Sequence, residues 1–281
     1  MQGPGSSIPS VKHRSFLWDR QEGNPVRIPL SFGIMDHKNI RLMVAYDGTR
    51  YHGWQRQKNA MTLQEMMEEQ IRVMTGEPHT LIASGRTDAG VHALNQVCNF
   101  ITRSSIPAQS FQKGLNSLLP DDIFIKDADC VPIHFHSRYS AKSKIYEYRI
   151  LNSETPDIFQ RNFLWQIRPP LNVEAMAGCL SHLRGSHDFS SFRSSGSSNT
   201  DPVRSILTAE LHGPENGRLR IVIEADGFLR HMVRNIVGTV VEAGLGKMSP
   251  HRFREIVSLK DRRLAGVKAP PQGLFLVDVR Y

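Results

Sequence analysis

Ser84-Gly85-Arg86-Thr87-Asp88-Ala89-Gly90-Val91-His92 follows the apolar run Leu81-Ile82-Ala83 and leads into a strand-like stretch at 93–102. Two glycines bracket a charged pair, and glycine permits backbone angles and close approaches that other residues resist. The run therefore reads as a tight strand exit that presents Arg86 and Asp88. A nearby arginine favours an ionised aspartate, and an ionised carboxylate on a shaped loop can serve as nucleophile or base. Taken alone, the same residues also fit an ordinary turn with an Asx hydrogen bond and a surface ion pair. The rest of the chain decides between the two.

Before this loop, Ile40 to Tyr46 reads as a strand and Asp47-Gly48-Thr49 as a turn. Tyr51-His52-Gly53-Trp54-Gln55-Arg56-Gln57 mixes aromatic and basic residues, which suits either base stacking with phosphate contact at Arg56 or a capped core edge. Thr62 and Glu65 form a capping-box pattern for a helix through Met74. Its apolar face is Leu63, Met66, Met67, Ile71 and Met74, and Gly76 and Pro78 stop it. A strand at 79–83 delivers the loop. A helix from Pro107 to Leu118 and strands at 123–131 and 137–151 follow.

The second half repeats the theme. A helix spans Asn172 to Arg184 and Gly185 stops it. Gly185 to Asp201 reads as a long Ser-rich loop beginning with Asp188-Phe189-Ser190-Ser191-Phe192-Arg193, and loops of that length are often functional. Strands at 203–212 and 218–226, helices at 229–243 and from Ser249-Pro250, and a strand from Leu274 to Val279 complete the chain. Two halves, 37–140 and 141–281, thus each give an α+β pattern of the split βαβ type. Residues 1–36 carry no periodicity and read as a poorly ordered extension, with Met35 a possible alternative start.

Bulk properties narrow the function. A chain of 281 residues with 40% hydrophobic and 22% charged residues can bury a proper core. Its net charge of +8 suits a polyanionic partner, nucleic acid above all, although solubility alone would also explain it. The three cysteines, Cys98, Cys130 and Cys179, form no CxxC; this argues against a disulfide framework and fits the reducing cytoplasm. Cys130, His134 and His136 lie close together but lack a fourth ligand, so no metal site is expected. No run approaches a membrane span, and no signal-peptide core follows the N-terminus.

The helix at 229–243 carries an apolar stripe of Leu229, Met232, Val233, Ile236, Val237, Val240 and Val241, with Arg230 and Arg234 on its flank. An arginine at a core margin needs an anionic partner, which makes Arg234 and Asp88 candidates to pair; Arg234 snorkelling to solvent fits equally. Arg230 and His231, at the start of this helix, are candidate RNA contacts. The run Phe135-His136-Ser137-Arg138-Tyr139-Ser140-Ala141-Lys142-Ser143-Lys144-Ile145-Tyr146-Glu147-Tyr148 packs three tyrosines among Arg138, Lys142 and Lys144. Strand alternation puts Lys144, Tyr146 and Tyr148 on one face, where a tyrosine can stack on a base.

Gly85-Arg86-Thr87-Asp88-Ala89-Gly90-Val91-His92-Ala93, the Phe-His-Ser-Arg-Tyr-Ser-Ala-Lys run ending at Tyr146, Met232-Val233-Arg234-Asn235-Ile236-Val237-Gly238 and Gly273-Leu274-Phe275-Leu276 resemble, in that order, the tRNA pseudouridine synthase family called TruA. Tyr46-Asp47-Gly48-Thr49, Gly53-Trp54-Gln55 and Asp188-Phe189 with Ser191-Phe192-Arg193 also look like it, so the resemblance covers about residues 39–281. It implies two ferredoxin-like, RRM-like halves joined through an extended antiparallel sheet with helices packed on one side. It implies isomerisation of uridine to pseudouridine in the tRNA anticodon stem-loop, at tRNA positions 38, 39 and 40. Asp88 would be the catalytic carboxylate, Arg234 its partner, Tyr146 the stacking face and Leu274 part of the apolar wall. Arg86 would keep the target nucleotide flipped out of its stem. Arg56, Arg138, Lys142, Lys144, Arg193, Arg230 and His231 would contact the RNA. No cofactor or metal is implied, and the family's homodimers bind tRNA in a cleft.

Three other readings compete. Gly244-Leu245-Gly246-Lys247 suggests a phosphate loop, but Val241 and Met248 break the required pattern, which leaves a helix C-cap. A glycosidase-type hydrolase would pair Asp88 with Asp121 or Asp122 and release free uracil. A non-catalytic RNA-binding or RNA-folding protein shares every basic and aromatic feature and does not need Asp88.

Overall fold

The computed structural model describes residues 37–194, 196 and 201–281. The N-terminal extension and most of the Ser-rich stretch after Arg193 lie outside the described residues. The first half runs β1 (Lys38–Tyr46), α1 (Leu63–Thr75), β2 (Ile82–Ala83), β3 (His92–Thr102), α2 (Ala108–Leu118) and β4 (Ile123–Val131). The second runs β5 (Ser143–Asn152), β6 (Trp165–Ile167), α3 (Val173–Ser181), β7 (Gly185–Asp188), β8 (Val203–Glu215), β9 (Arg218–Ala225), α4 (Met232–Gly244), α5 (Pro250–Leu259) and β10 (Leu274–Arg280).

The strands join one sheet in the order β4-β1-β3-β10-β5-β9-β8-β7, with β2 also on β3 and β6 on β5. In each half the opening strand lies between the last strand and a returning one: β4-β1-β3, then β10-β5-β9. This is the split βαβ arrangement, found twice. The sheet is antiparallel except that β10 runs parallel to β3, and β6 parallel to β5. The β3–β10 ladder is therefore the seam between the halves, with Phe275 opposite His92 and Leu276 opposite Ala93.

Strand alternation assigns the two faces different work. Ile40, Leu42, Val44 and Tyr46 of β1 are buried, as are Leu63, Met67 and Ile71 of α1 and Phe111 and Leu115 of α2. The register carries the same face across the seam through Ala93, Leu276, Tyr146 and Ile223. The opposite face holds ion pairs instead: Arg41 with Asp129 at 2.7 Å, and Glu147 with Arg149 at 2.7 Å and Arg220 at 3.2 Å. Helices thus pack on one side.

Several local expectations need correction. Thr62 sits at the N-cap of α1 but its side chain makes no capping bond, and its Oγ1 is buried without a partner. The first helical N–H groups are met by other backbone instead: Leu63 donates to Gly53 O and Gln64 to Trp54 O. Glu65 turns to Arg56 at 3.4 Å. The strand expected from residue 137 begins at Ser143, because 136–140 close a turn through Ser140 N–H to His136 O. The helix expected to reach Arg184 ends at Ser181. The start of the Ser-rich stretch is no loop: Gly185–Asp188 pairs with Val203–Ile206, and Phe189 and Phe192 are fully buried. Short β6 carries no alternation long enough to read.

α4 is buried on nearly every side. α3 and α5 pack against it, and residues 265–269 cross it, where Gly266 N–H donates to Thr239 Oγ1 and Ala269 N–H to Arg234 O. The crossing needs Gly238, since a Cβ there would overlap the Val267 carbonyl oxygen. At its end, Gly246 N–H donates to Ala243 O and Lys247 N–H to Glu242 O, a Schellman cap. The Gly-Leu-Gly-Lys run is thereby a helix terminus. Replacing an interior helical glycine by alanine ordinarily stabilises by up to about 1 kcal/mol. Gly238→Ala should instead destabilise by about 1–3 kcal/mol in urea unfolding, because the crossing segment must lift. A stabilised variant would contradict the packing.

Candidate active site

The loop bearing Asp88 is held from three directions. Ser84 donates through its N–H to Val97 O and through Oγ to Gln96 Oε1, while Gln96 Nε2 donates to Gly85 O, all at 2.7–2.8 Å. Tyr46 Oη and Thr87 Oγ1 share a buried 2.8 Å hydrogen bond. Trp54 N–H donates to Thr87 O, and Gly90 N–H to Tyr51 O. β1, β3 and the 51–54 turn thus fix the backbone on both sides of Asp88. Of the two bracketing glycines, only Gly90 takes a left-handed conformation, at φ +75°. A side chain at Gly85 would merely touch Lys144.

The Asp88 side chain is 30% exposed, and its Oδ2 accepts from an Arg234 terminal nitrogen at 3.1 Å. Arg234 is buried and its Nε donates to Ala269 O at 2.8 Å. It does not snorkel. Nε2 of His231 stands 3.4 Å from Asp88 Oδ1. His231 caps α4 and Arg234 lies in its first turn, so the carboxylate also meets the partial positive charge of a helix N-terminus.

Tyr146 stands opposite Leu276 and Ile223, with its ring edge-on to Phe228 at 4.9 Å. Burial first, then Tyr46 and Asp88, push its phenol above the usual range, so it stays protonated. Leu274 is buried beside Tyr148, one alternation away from Tyr146. Arg86 is exposed overall, and the partial desolvation of its guanidinium, then Arg138, lowers its pKa. Lys144 is pushed down to about 8, by burial and then by Arg138 and Arg204, with Asp226 opposing. Arg86, Arg138 and Lys144 therefore share one electropositive patch beside the Asp88 loop.

The remaining basic candidates are more dispersed. Arg56 is ion-paired to Glu65 and Glu68 before α1. Lys142 is exposed just before β5, and Arg193 follows the 190–192 turn. Arg230 reaches Gly196 O at 3.5 Å. Sequence reading missed Lys268, whose pKa is lowered by burial and Arg234 and raised by Asp88; it lies in the irregular 265–270 segment, where no period marks it. It also missed Phe228 and the Tyr46–Thr87 bond, although both bonded residues fall in the quoted motifs.

The structure also bears on the competing readings. Asp122 accepts from Tyr51 Oη at 2.6 Å and Arg50 Nε at 2.8 Å, so it serves a structural bridge between β4 and the turn after β1. His136 Nδ1 accepts from the N–H groups of Arg138 and Tyr139 at 3.2 Å. Among the described residues, no group of three or more His, Cys, Asp or Glu is placed to hold a metal ion, and no helix is long and apolar enough to cross a membrane.

A family model described as tRNA pseudouridine synthase matches residues 42–140 and 180–281. A Thermoanaerobacter sp. (strain X514) protein called tRNA pseudouridine synthase A is 49% identical over 244 residues, 87% of this chain and 100% of that one. The Acetivibrio thermocellus protein of the same name is 47% identical, and tRNA pseudouridine synthase A 2 of Clostridium perfringens 41%, both with the same coverage. The motifs, the doubled split βαβ sheet and these matches agree: the chain belongs to the tRNA pseudouridine synthase family, isomerases that convert uridine to pseudouridine in tRNA.

Proposed function

We propose that Asp88 is the catalytic carboxylate and that the targets are uridines 38, 39 and 40 of the tRNA anticodon stem-loop. The observation that carries the first part is the 3.1 Å pair of a partly exposed Asp88 with a buried Arg234. A carboxylate so held is ready to act in the ribosyl C1′ region of a uridine, as a nucleophile at C1′ or as a base on the adjacent C–H. The N1–C1′ bond breaks, the uracil turns, C5 bonds to C1′, the C5 hydrogen leaves as a proton, and the freed N1 takes up a proton. Atoms and electrons balance within the nucleotide, so the reaction calls for no redox partner. A non-catalytic RNA-binding role would account for the pair as charge neutralisation of Arg234, but not for a carboxylate that keeps 30% of its surface open.

Tyr146 offers the base a ring backed by Phe228, and Leu274 adds apolar wall. Arg86, exposed beside Arg138, takes the space vacated by the flipped nucleotide, whose extrusion costs a few kcal/mol. Lys144 and Arg138 hold the adjoining phosphates, and Arg56, Lys142, Arg193, Arg230 and Lys268 extend the positive surface along the tRNA. The working unit is a homodimer in the cytoplasm. The dimer is supported by the family resemblance, and the compartment by cysteines that form no CxxC pattern.

Target choice is tested with transcripts carrying tritium at uracil C5. Release should stop when uridines 38–40 are replaced by cytidine; undiminished release from that transcript would overturn the anticodon assignment. A second prediction concerns Lys144. Its pKa in the free protein is depressed to about 8, so its charge is lost as pH rises through that value. A bound phosphate favours the charged form, so binding takes up a proton above that pH. tRNA affinity should fall by up to about one decade per pH unit above 8. Lys144→Gln should bind more weakly and lose this dependence between about pH 7 and pH 9. An unaltered pH profile in the variant would remove Lys144 from the interface.

A further inference from the structure

His231 is one of three non-glycine residues with positive φ among the described residues, at +62°, and it is the one beside Asp88. A histidine in left-handed backbone is strained, and such strain persists where the surroundings impose it. Here the surroundings bury the imidazole to 13% exposure and place Nε2 3.4 Å from Oδ1 of Asp88. The other ring nitrogen, Nδ1, is buried and has no hydrogen-bond partner.

Those two environments select one form of the ring. A proton on Nε2 faces the carboxylate and leaves Nδ1 as a bare lone pair. A proton on Nδ1 would be a buried donor without an acceptor, and would turn the Nε2 lone pair toward the carboxylate oxygen. The imidazolium would suffer the same unpaired Nδ1–H. Four groups face the ring: Arg230 and Arg234 from its own segment, Lys268 from the 265–270 crossing, and Asp88 from the loop. Burial, with the three cations, holds the pKa below the usual histidine range against the opposing pull of Asp88. The ring is therefore a neutral donor. With Nε2 turned to Asp88 and Nδ1 buried, it has no donor left for a phosphate.

We infer that His231 is a positioning residue for Asp88 and not an RNA contact: its Nε2–H holds Oδ1 while Arg234 holds Oδ2, which fixes the carboxylate plane and turns the remaining lone pairs toward the cleft. The inference rests on the proposed role of Asp88. The Nε2–Oδ1 separation of 3.4 Å is long for a hydrogen bond, and catalytic hydrogen bonds commonly tighten in the substrate complex.

The test uses the full chain with an unmodified tRNA transcript and measures kcat, KM, the salt dependence of tRNA binding and the melting temperature. His231→Ala should lower kcat by about 10- to 100-fold, the loss of one hydrogen bond to an ionised group, with KM and salt slope unchanged. His231→Gln, whose Nε2 reaches a similar point, should recover most of that loss. Should the alanine variant fail to fold, His231→Asn, which tolerates left-handed backbone but is too short to reach Oδ1, replaces it. Unchanged kcat in the shortened variant, a raised KM with kcat intact, or a glutamine variant as slow as the alanine one would each overturn the inference. Asp88→Asn is assayed in parallel: activity in that variant would remove the role of Asp88 itself, whatever His231 does.

Discussion

A single ion pair ties together parts of the chain that are 146 residues apart: Asp88 in the loop after β2 and Arg234 in the first turn of α4. Arg234 is buried, and a buried guanidinium stripped of its partner costs about 3–5 kcal/mol, so the surroundings must deliver a carboxylate to it. They do so by construction. Gln96, Val97, Tyr46 and Trp54 fix the loop, while Ala269 O holds Nε and leaves the terminal nitrogen aimed at Asp88. The glycine at 238 lets the 265–269 segment lie close enough on α4 for that bond to form.

The sheet explains why a carboxylate from one half can meet an arginine from the other. β10 completes the second split βαβ unit by pairing with β5, and its other edge runs parallel to β3 of the first. The loop before β3 and the tyrosine on β5 are thereby two strands apart, and Leu276 bridges Ala93 to Tyr146 in register. On the helix-free face the same seam stacks His92 on Phe275 at 4.7 Å, with Arg149 over Phe275 at 3.8 Å. His92 also accepts from Gly48 N–H and bonds Asn162 O, so that face braces the far side of the loop.

Much of this is legible in the sequence itself, for physical reasons that differ by element. The alternation of Leu219, Ile221 and Ile223, the stripe on α4 and the Ser249-Pro250 cap mark elements whose own sequence satisfies their needs; the Ser249 side chain does accept from Arg252 N–H. Asp88 and Arg234 were legible as a pair because a flanking arginine on an apolar stripe demands an anion. Where reading failed, the cause was tertiary. Thr62 has the right pattern for a cap, but backbone from Gly53 and Trp54 supplies the acceptors first. Phe189 and Phe192 sit in a Ser-rich run that looked like a functional loop, yet both are core, and Asn235 donates to Phe192 O to lock it there. Lys268 and the left-handed backbone at His231 leave no periodic or compositional trace, since each is defined only by what folds against it.

The most direct measurement is a single-turnover tritium-release experiment with enzyme in excess over C5-labelled tRNA, comparing the native chain with Asp88→Asn while tRNA binding is followed on the same samples. Release by the native chain, none by the variant, and comparable binding by both would place the chemistry on the Asp88 carboxylate. Release by the Asp88→Asn variant at a rate near that of the native chain would contradict it.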